Sequence, residues 1–567
     1  MAMQDPMAPP EPATGLPRSS SYIRVNMFHV RHHLKAAGYA LSMLTHCATL
    51  GQTAQIWTAT GDSTSMWFGW SVSRAGDVNG DGYEELIIGA PWGRKNLNRE
   101  GKVFVYWGSP GGLNSASYWT VVGGQYNAQL GRSVAGGGDL NGDGFDDIAA
   151  GAQYFDNGQT DEGAVFVHHG SPDGLSVLPD LMLESDQANA MYGASVAIPG
   201  DVNGDGYDDL LVGAPYYNDS PVNEGTAFLY YGSATGVGSA ANWTFDTQQA
   251  SSYARVYSVG DVNSDGFADF AVTSTLYDDG QTDEGRVFLF HGSATGPGTL
   301  PNWEFSPNDD YSYTDVAASA GDVNSDGYGD VIIGAHGFGY IENNLTGNGA
   351  AYLFFGSAAG LGPTHVWTEA CVTQGSSYGS TVCGVGDANG DGQDDVLVGD
   401  RDRWADSPQE GGVTVYTGST FGLDGPPLFD EPGGQSGGRY GHAACGGMDT
   451  NGDGAVEWLV GMPYPTMAGG AVFLYQWSEP STDLGDMPHA QPDALIVRYG
   501  SEGPTVEMSG AFGALELLIM DAQGQVVAQR SWSGEPMPFR NLAPGLYTAR
   551  VVSDKQQWTR KIIVDRR

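Results

Sequence analysis

Basic residues are scarce in this chain: 24 lysines and arginines stand against 67 aspartates and glutamates, a net charge of −43 over 567 residues. Phosphate backbones are bound by basic patches, so this composition disfavours nucleic acid as a partner. Cysteine is scarcer still, and the four present, Cys47, Cys371, Cys383 and Cys445, do not make a disulfide scaffold. Cys383 and Cys445 each lie four residues before a recurring aspartate, where other copies have Ser73, Ala135, Ala197 or Ala318. They read as buried free thiols on a crowded strand, with a Cys371–Cys383 bridge as the alternative. Past the first 55 residues no stretch approaches the ~20 apolar residues of a membrane-spanning helix.

What the chain has in abundance is glycine, 86 residues without a collagen period, which fits a turn-dense β protein. It also has a repeat. The frame D-x-N-x-D-G-x-x-[DE] begins at Asp77, Asp139, Asp201, Asp261, Asp322, Asp387 and Asp449, in steps of 62, 62, 60, 61, 65 and 62 residues. Self-similarity at such a period signals a repeat architecture and overrides a domain count based on length.

Each frame sets side-chain oxygens at positions 1, 3, 5 and 9 and a glycine at position 6. Hard cations such as Ca²⁺ take six to eight oxygens, and short acidic side chains alternating along a tight loop can converge on one ion. Glycine at position 6 admits a left-handed backbone, and position 7 offers its main-chain carbonyl. The seven candidate sets are Asp77, Asn79, Asp81, Tyr83 and Glu85; Asp139, Asn141, Asp143, Phe145 and Asp147; Asp201, Asn203, Asp205, Tyr207 and Asp209; Asp261, Asn263, Asp265, Phe267 and Asp269; Asp322, Asn324, Asp326, Tyr328 and Asp330; Asp387, Asn389, Asp391, Gln393 and Asp395; and Asp449, Asn451, Asp453, Ala455 and Glu457. An EF-hand needs a bidentate glutamate at position 12, where this chain has Ile88, Ala150 or Val212, so that reading fails. An acidic turn that binds nothing is the plain alternative for one copy, since Asp, Asn and Gly dominate turns. Seven copies place 21 of the 67 acidic residues in groups of three, where like charges repel unless a cation neutralises them. The expectation is up to seven Ca²⁺.

Around each frame the chain reads as four short strands in about 62 residues, bounded by Gly, Asn, Asp and Ser. Residues 119–171 show the pattern: Trp119-Thr120-Val121, then Leu130 to Ala135, the apolar run Ile148–Ala152, and Ala164–His168. An aromatic-Gly or related pair falls nine residues before the first Asp, as at Phe68-Gly69, Leu130-Gly131, Tyr192-Gly193, Tyr378-Gly379 and Tyr440-Gly441. A G-A-P-like triplet starts twelve residues after it, at Gly89, Gly151, Gly213, Gly334, Gly399 and Gly461. These units resemble the FG-GAP repeats of the seven-bladed β-propeller at the head of integrin α chains. The resemblance spans roughly 56–477 and implies calcium at positions 1, 3, 5 and 9 with the position-7 carbonyl, on one face of the disc. Departures from it are Thr273 for Gly, Gln153, His336 and Arg401 for Pro, and Gln393 and Ala455 for the position-7 aromatic. Integrin-type ligand recognition is not implied, since integrins carry fewer such frames.

Strand-like segments begin near Trp57, Trp119, Leu181, Trp243, Trp303, Trp367 and Phe429. If each completes the blade before it, the Trp57 segment is left to close the seventh, joining first to last. Loops following the G-A-P triplets then emerge opposite the frames. They carry Tyr154, Tyr216, Tyr217, Tyr277 and Trp404, a candidate ligand face, with packing between blades as the competing explanation.

The ends differ from the middle. Residues 1–26 are Pro- and Ser-rich; then Arg31, His32, His33 and Lys35 precede the moderately apolar Ala36–Leu50 and Gly51-Gln52-Thr53-Ala54-Gln55, the order of a secretory signal. Residues 1–55 are therefore expected to be leader, 478–492 an exposed linker, and 493–567 a small immunoglobulin-like β-sandwich. The tail resembles the C-terminal sorting domain of type IX secretion through Asn541-Leu542-Ala543-Pro544-Gly545-Leu546-Tyr547, Arg550-Val551 and Thr559-Arg560-Lys561-Ile562-Ile563-Val564. That implies contact with the secretion machinery and residence outside a Bacteroidetes-type cell, secreted or on its surface. The fold class expected is all-β, a seven-bladed propeller of four-stranded blades followed by the sandwich. The function expected is binding or adhesion to an extracellular protein or glycan. The alternative is a propeller enzyme, a lyase or hydrolase on polysaccharide, although no G-x-S-x-G, H-E-x-x-H or P-loop occurs. His168-His169 and His336 are the tempting histidines, and His168-His169 occupy a strand end where another repeat has Tyr230-Tyr231, which favours packing.

Overall fold

The computed structural model describes residues 52–478, short breaks apart, and in the C-terminal module the strands alone. The expected leader as far as residue 51, Cys47 included, and all but the first residue of the expected linker lie outside the described residues. Every described element is a β-strand, and the chain divides into two compact units at residue 480.

The first unit is seven antiparallel four-stranded sheets. Blade 1 runs through Ser71–Gly76, Glu85–Ala90, Lys102–Tyr106 and Tyr118–Val122. Blades 2 to 6 open with the strands Leu130–Gly138, Ser195–Gly200, Ala254–Gly260, Thr314–Gly321 and Tyr378–Gly386. The first strands of successive blades touch in a closed ring, the seventh returning to the first. Blade 7 takes Ala443–Met448, Glu457–Met462 and Ala471–Ser478 from the end of the repeats and Gln52–Thr60 from their beginning. That last strand starts four residues ahead of the expected boundary and sets Trp57 opposite Leu474. Each second strand is buried along its whole length. Neighbouring blades cover both its faces, which is why it reads as a continuous apolar run rather than an alternating one. The core is accordingly a ring of clusters between blades, such as Val103, Trp119, Leu130 and Ile148 between blades 1 and 2, and Phe68, Leu86, Leu459 and Leu474 between blades 7 and 1.

Two glycine motifs meet at each seam. A methyl group on Gly151 would lie 1.9 Å from the carbonyl oxygen of Gly193 in the next blade, and one on Gly334 would lie 1.9 Å from that of Gly379. The G-A-P glycine is thus the close-approach partner of the following blade's aromatic-Gly. Between blades 4 and 5 both are missing, replaced by Thr273 and Thr314, and a bulge between Thr314 and Val316 re-aims the strand. Thr273 Oγ1 donates to the Asp315 carbonyl at 3.0 Å instead. The two departures compensate one another.

The described cysteines Cys371, Cys383 and Cys445 are free. The Cys371–Cys383 alternative is therefore wrong, and burial pushes the Cys383 thiol up to about 12. His168 is buried, sits edge-on to Trp119 and shares a 3.0 Å hydrogen bond between Nδ1 and the Ser176 carbonyl, a packing role. In the C-terminal unit Leu515–Asp521, Val526–Trp532, Gly545–Val552 and Gln557–Val564 form one antiparallel sheet, and Leu495–Gly500, Gly503–Met508 and Met537–Pro538 another. Leu517 and Ile519 are buried.

Candidate metal loops and the opposite mouth

Each frame is the loop joining a blade's first strand to its second. The backbone is left-handed at position 6 in all seven copies and at position 4 too, including Ser264 and Ser325. In blade 1, Asp77 Oδ1 accepts from the Asp81 amide at 3.0 Å and Oδ2 from the Gly82 amide at 2.9 Å, while Asp81 Oδ1 accepts from the Tyr83 amide. Asn79 Oδ1 accepts from the Asp81 amide at 2.8 Å. The same bonds recur around Asp139, Asp201, Asp261, Asp322 and Asp449.

Position 9 behaves differently from positions 1, 3 and 5. Glu85, Asp147, Asp209, Asp269, Asp330, Asp395 and Glu457 are all fully buried. In five of them one oxygen takes the position-2 amide and the other the amide of the glycine closing the third strand, as Asp209 does with Val202 and Gly232, both at 2.9 Å. Burial pushes the carboxyls of Glu85 and Asp147 up to about 8, and those of Asp209, Asp269, Asp330, Asp395 and Glu457 to about 7. Among the described residues none of the carboxylates at positions 1, 5 and 9 makes an ion pair. Nor do three or more His, Cys, Asp or Glu side chains there converge as a ready metal cluster. The donor chemistry nonetheless fits a hard cation: every oxygen that accepts one N–H keeps a lone pair, and Asp395 Oδ2 is buried with no hydrogen-bond partner.

The frames are also linked to one another, which sequence reading missed. The position-7 ring of one frame covers the position-4 glycine of the frame before it: Phe145 on Gly80, Tyr207 on Gly142, Phe267 on Gly204 and, closing the circle, Tyr83 on Gly452. Where position 4 is serine, Ser264 and Ser325 donate instead to the carbonyls of Gly327 and Gly392. Asp146, Asp208 and Asp394 at position 8 cap the position-1 amides of Asp77, Asp139 and Asp322 at 2.7, 2.9 and 2.8 Å.

At the opposite end of the ring the repeat is broken on purpose-specific positions. The residues after the aromatic-Gly pairs or their equivalents are Trp70, Arg132, Ala194, Arg255, Asp315, Ser380 and His442, and those at the G-A-P proline are Pro91, Gln153, Pro215, Thr275, His336, Arg401 and Pro463. Arg255 pairs with Asp315 at 3.1 Å, His336 Nδ1 lies 3.1 Å from the same carboxylate, and Arg439 pairs with Asp402 at 3.2 Å. Burial alone would raise the Asp315 carboxyl, but His336, Arg255 and Arg401 outweigh it and hold it at about 2. Burial among Arg401, Arg132 and Arg439 pushes His442 down to about 3. Trp67 stacks on Trp92 at 3.6 Å and on Trp70 at 4.8 Å, with Arg99 over Trp92 and Arg132 over Trp70. Of the five aromatics expected on this face, Tyr154 and Tyr216 line one cavity and Trp404 is 55% exposed. Tyr217 and Tyr277 pack instead on Phe228 and Phe288 of their own blades. Arg132, Arg255, Trp67, Trp70 and Tyr464 were not singled out from sequence; for Arg132, Arg255 and Trp70 the signal was a repeat position whose residue changes from blade to blade.

A ring of seven sheets with acidic loops on one end and a broken pattern on the other defines a β-propeller of the FG-GAP type. The chain carries FG-GAP repeats, matched at residues 68–106, 130–168, 192–230, 258–290 and 316–354, and a secretion system C-terminal sorting domain at 503–565. The sixth and seventh repeats fall outside those matches but build the same sheets. Similar curated proteins include integrin alpha-5 of Xenopus laevis, 36% identical over 28% of this chain and 16% of its own length, and integrin alpha-4 of the same organism, 33% identical over 30% and 16%. Integrin alpha-7 of Mus musculus is 36% identical over 27% and 13%. The match thus spans less than a fifth of each relative. Among solved structures, PorZ, an essential bacterial surface component of the type-IX secretion system of Porphyromonas gingivalis, aligns at a TM-score of 0.38 and 12% identity over 85% of this chain and 58% of its own. Through its sorting domain the chain is a type IX secretion client, exported to the medium or the outer surface of a Bacteroidetes-type cell. Among the described residues no helix is long and apolar enough to cross a membrane.

Proposed function

We propose that this chain is an extracellular binding module whose propeller is held together by calcium at up to seven frame loops. The observation that carries this is the absence of any ion pair at the frames' carboxylates among the described residues, although seven of them are fully buried. A buried carboxylate without a counter-charge costs several kcal/mol, and a divalent cation supplies that charge. Side chains at positions 1, 3, 5 and 9 and the position-7 carbonyl would hold it. The left-handed glycine at position 6 reverses the loop between positions 5 and 7, and position-7 rings cover the preceding loop at four of the seven seams. Melting of the metal-stripped full chain against added Ca²⁺ tests this: the reading requires a rise in Tm that Mg²⁺ at equal concentration does not match. A Tm indifferent to both ions rules it out.

The ligand face on this reading is the end opposite the frames, where Tyr154, Tyr216 and Trp404 stand, and its partner is an extracellular protein or glycan. Adhesion follows from export plus a rigid disc presenting one irregular face. A glycan and matrix-protein array, probed with the full chain and with Tyr154, Tyr216 and Trp404 replaced together by alanine, tests the face directly. The C-terminal sheets are proposed to pack as an immunoglobulin-like sandwich that the secretion machinery reads, so deletion of residues 503–565 should leave the protein inside the outer membrane.

A further inference from the structure

Four guanidinium groups meet at the mouth opposite the frames, in a chain whose net charge is −43. Arg132, Arg401 and Arg439 all act on His442 and Tyr464, and Arg132 and Arg255 act on one another. The carboxylates available to them are Asp315, with which Arg255 pairs, and Asp402, with which Arg401 and Arg439 pair. Asp400 beside them is engaged by Ser376 and Ser377. Arg132 pairs with no carboxylate among the described residues. Its Nε donates to Gln153 Oε1 at 3.2 Å and its plane lies over Trp70 at 4.7 Å, so most of its donors point at no acid.

Arg132 and Arg255 line a cavity of about 340 Å³ with Gln153, Tyr154, Tyr216 and Tyr253. The Arg255 side chain is 40% exposed although it stands at the centre of the fold, as a cavity wall should be. Tyr216 meets Tyr253 edge-to-face at 4.8 Å, which fixes the aromatic wall. A cavity of the same volume beside the seventh frame, lined by Trp57, Leu113 and Asp453 among others, has no basic group. Of these two cavities, the one at the mouth alone carries positive charge. A guanidinium left without an acid, with a second beside it, inside a concave, aromatic-walled site is the recognition chemistry of a carboxylate, and the volume is at the small end of ligand sites. A sugar ring fills such a space with its carboxylate on the arginines and its faces on tyrosine. An aspartate or glutamate side chain would leave most of it to water.

We propose that this cavity binds a hexuronate residue of an acidic glycan, its carboxylate held by Arg132 and Arg255. This deepens, and rests on, the assignment of that end as the ligand face. Arg132 supplies the free fork from blade 2, and Arg255, already half-committed to Asp315, closes the site from blade 4, across the Tyr216 loop of blade 3. Gln153 holds Arg132 in plane, and Tyr154 and Tyr216 stack on the ring.

The test is calorimetric titration of the full chain in saturating calcium with tetragalacturonate and with a glucuronate-containing tetrasaccharide. Their methyl esters and tetraglutamate serve as controls. At least one acidic oligomer should bind, its methyl ester should bind roughly ten- to a hundredfold more weakly, as loss of charge-assisted hydrogen bonds implies, and Arg132→Gln should lose a similar factor at unchanged Tm. If Arg132→Gln lowers Tm, Arg132→Lys, which keeps the charge but not the fork, should fall between. The proposal is overturned if neither acidic oligomer binds, if the esters bind equally, if tetraglutamate binds as tightly, or if neither Arg132 variant changes affinity. Array hits on neutral glycans that vanish with the Tyr154, Tyr216 and Trp404 replacements but survive Arg132→Gln would keep the ligand face and reject its acidic occupant. Hits indifferent to both would reject the face itself.

Discussion

The two ends of the propeller are made by the same seven strand pairs and have opposite characters. At the frame end every blade has three carboxylates, a left-handed glycine and a buried position-9 acid, and at four of the seven seams a ring is laid on the loop before it. At the other end no two blades match: His336 and Arg401 stand where other blades have the G-A-P proline, and Arg132, Arg255 and His442 stand after the aromatic-Gly pair, where the residue changes from blade to blade. Regularity at one end goes with the closure of the ring, reinforced from loop to loop by four aromatic rings and two serine hydroxyls. Irregularity at the other end is where a ring of equal sectors acquires a face with a direction. On the proposed function, repetition marks what holds the molecule together, and departure from repetition marks what it recognises.

Removing calcium should break this comparison most severely. At ten times Kd each site contributes about 1.4 kcal/mol by mass action, so seven sites reach the scale of a domain's whole net stability of 5–15 kcal/mol. Chelation should lower Tm on the order of 10 °C, read by calorimetry, while the mouth variants Arg132→Gln and Trp404→Ala leave the calcium dependence untouched.

A pair of glycines tests the links between frames. Gly80 and Gly390 both stand at position 4 with φ of 71° and 75°, so alanine costs roughly 1–2 kcal/mol at either from backbone alone. A methyl at Gly80 also meets the Phe145 ring at 2.6 Å, whereas at Gly390, opposite Ala455, nothing lies within 4 Å. Gly80→Ala should therefore be the worse by about 1–3 kcal/mol, the usual cost of overpacking, in denaturant unfolding. Equal losses would mean that the rings do not couple the loops.

Acid should distinguish the mouth in turn. His442 is held at about 3 in the folded chain by burial and three arginines, against about 6.5 when unfolded. The unfolded chain then binds the extra proton between those values, so folding stability falls as pH drops through that window and is unaffected above it. His442→Gln should gain on the parent in Tm as pH falls from about 6.5 to 4, and a constant difference would mean that His442 titrates normally.

The smallest effect is expected at Trp404. With 55% of its surface exposed its replacement by alanine should change stability by less than about 0.5 kcal/mol, so any loss of binding it causes would belong to the proposed ligand face.

The amino-acid sequence on its own was enough for the seven-fold count, the frame loops, the strand that closes the last blade and the secretory tail. Each is written in local spacing: a period near 62, a loop of nine residues, a leftover segment at Trp57. Even the degenerate fourth repeat was visible at Thr273 and Tyr253-Ala254. What sequence could not show is anything made between blades. Phe145 on Gly80, Asp146 on the Asp77 amide, and Thr273 on the Asp315 carbonyl join residues 42 to 69 positions apart, and no window along the chain holds both partners. The mouth is the fullest case. Arg132, Arg255, Asp315, Arg401 and His442 come from five different blades, and only the closing of the ring brings their charges within reach of one another. Sequence spacing could mark them as departures from a pattern, but their meeting depends on the radius and tilt of the packed sheets, which local chemistry does not encode one repeat at a time.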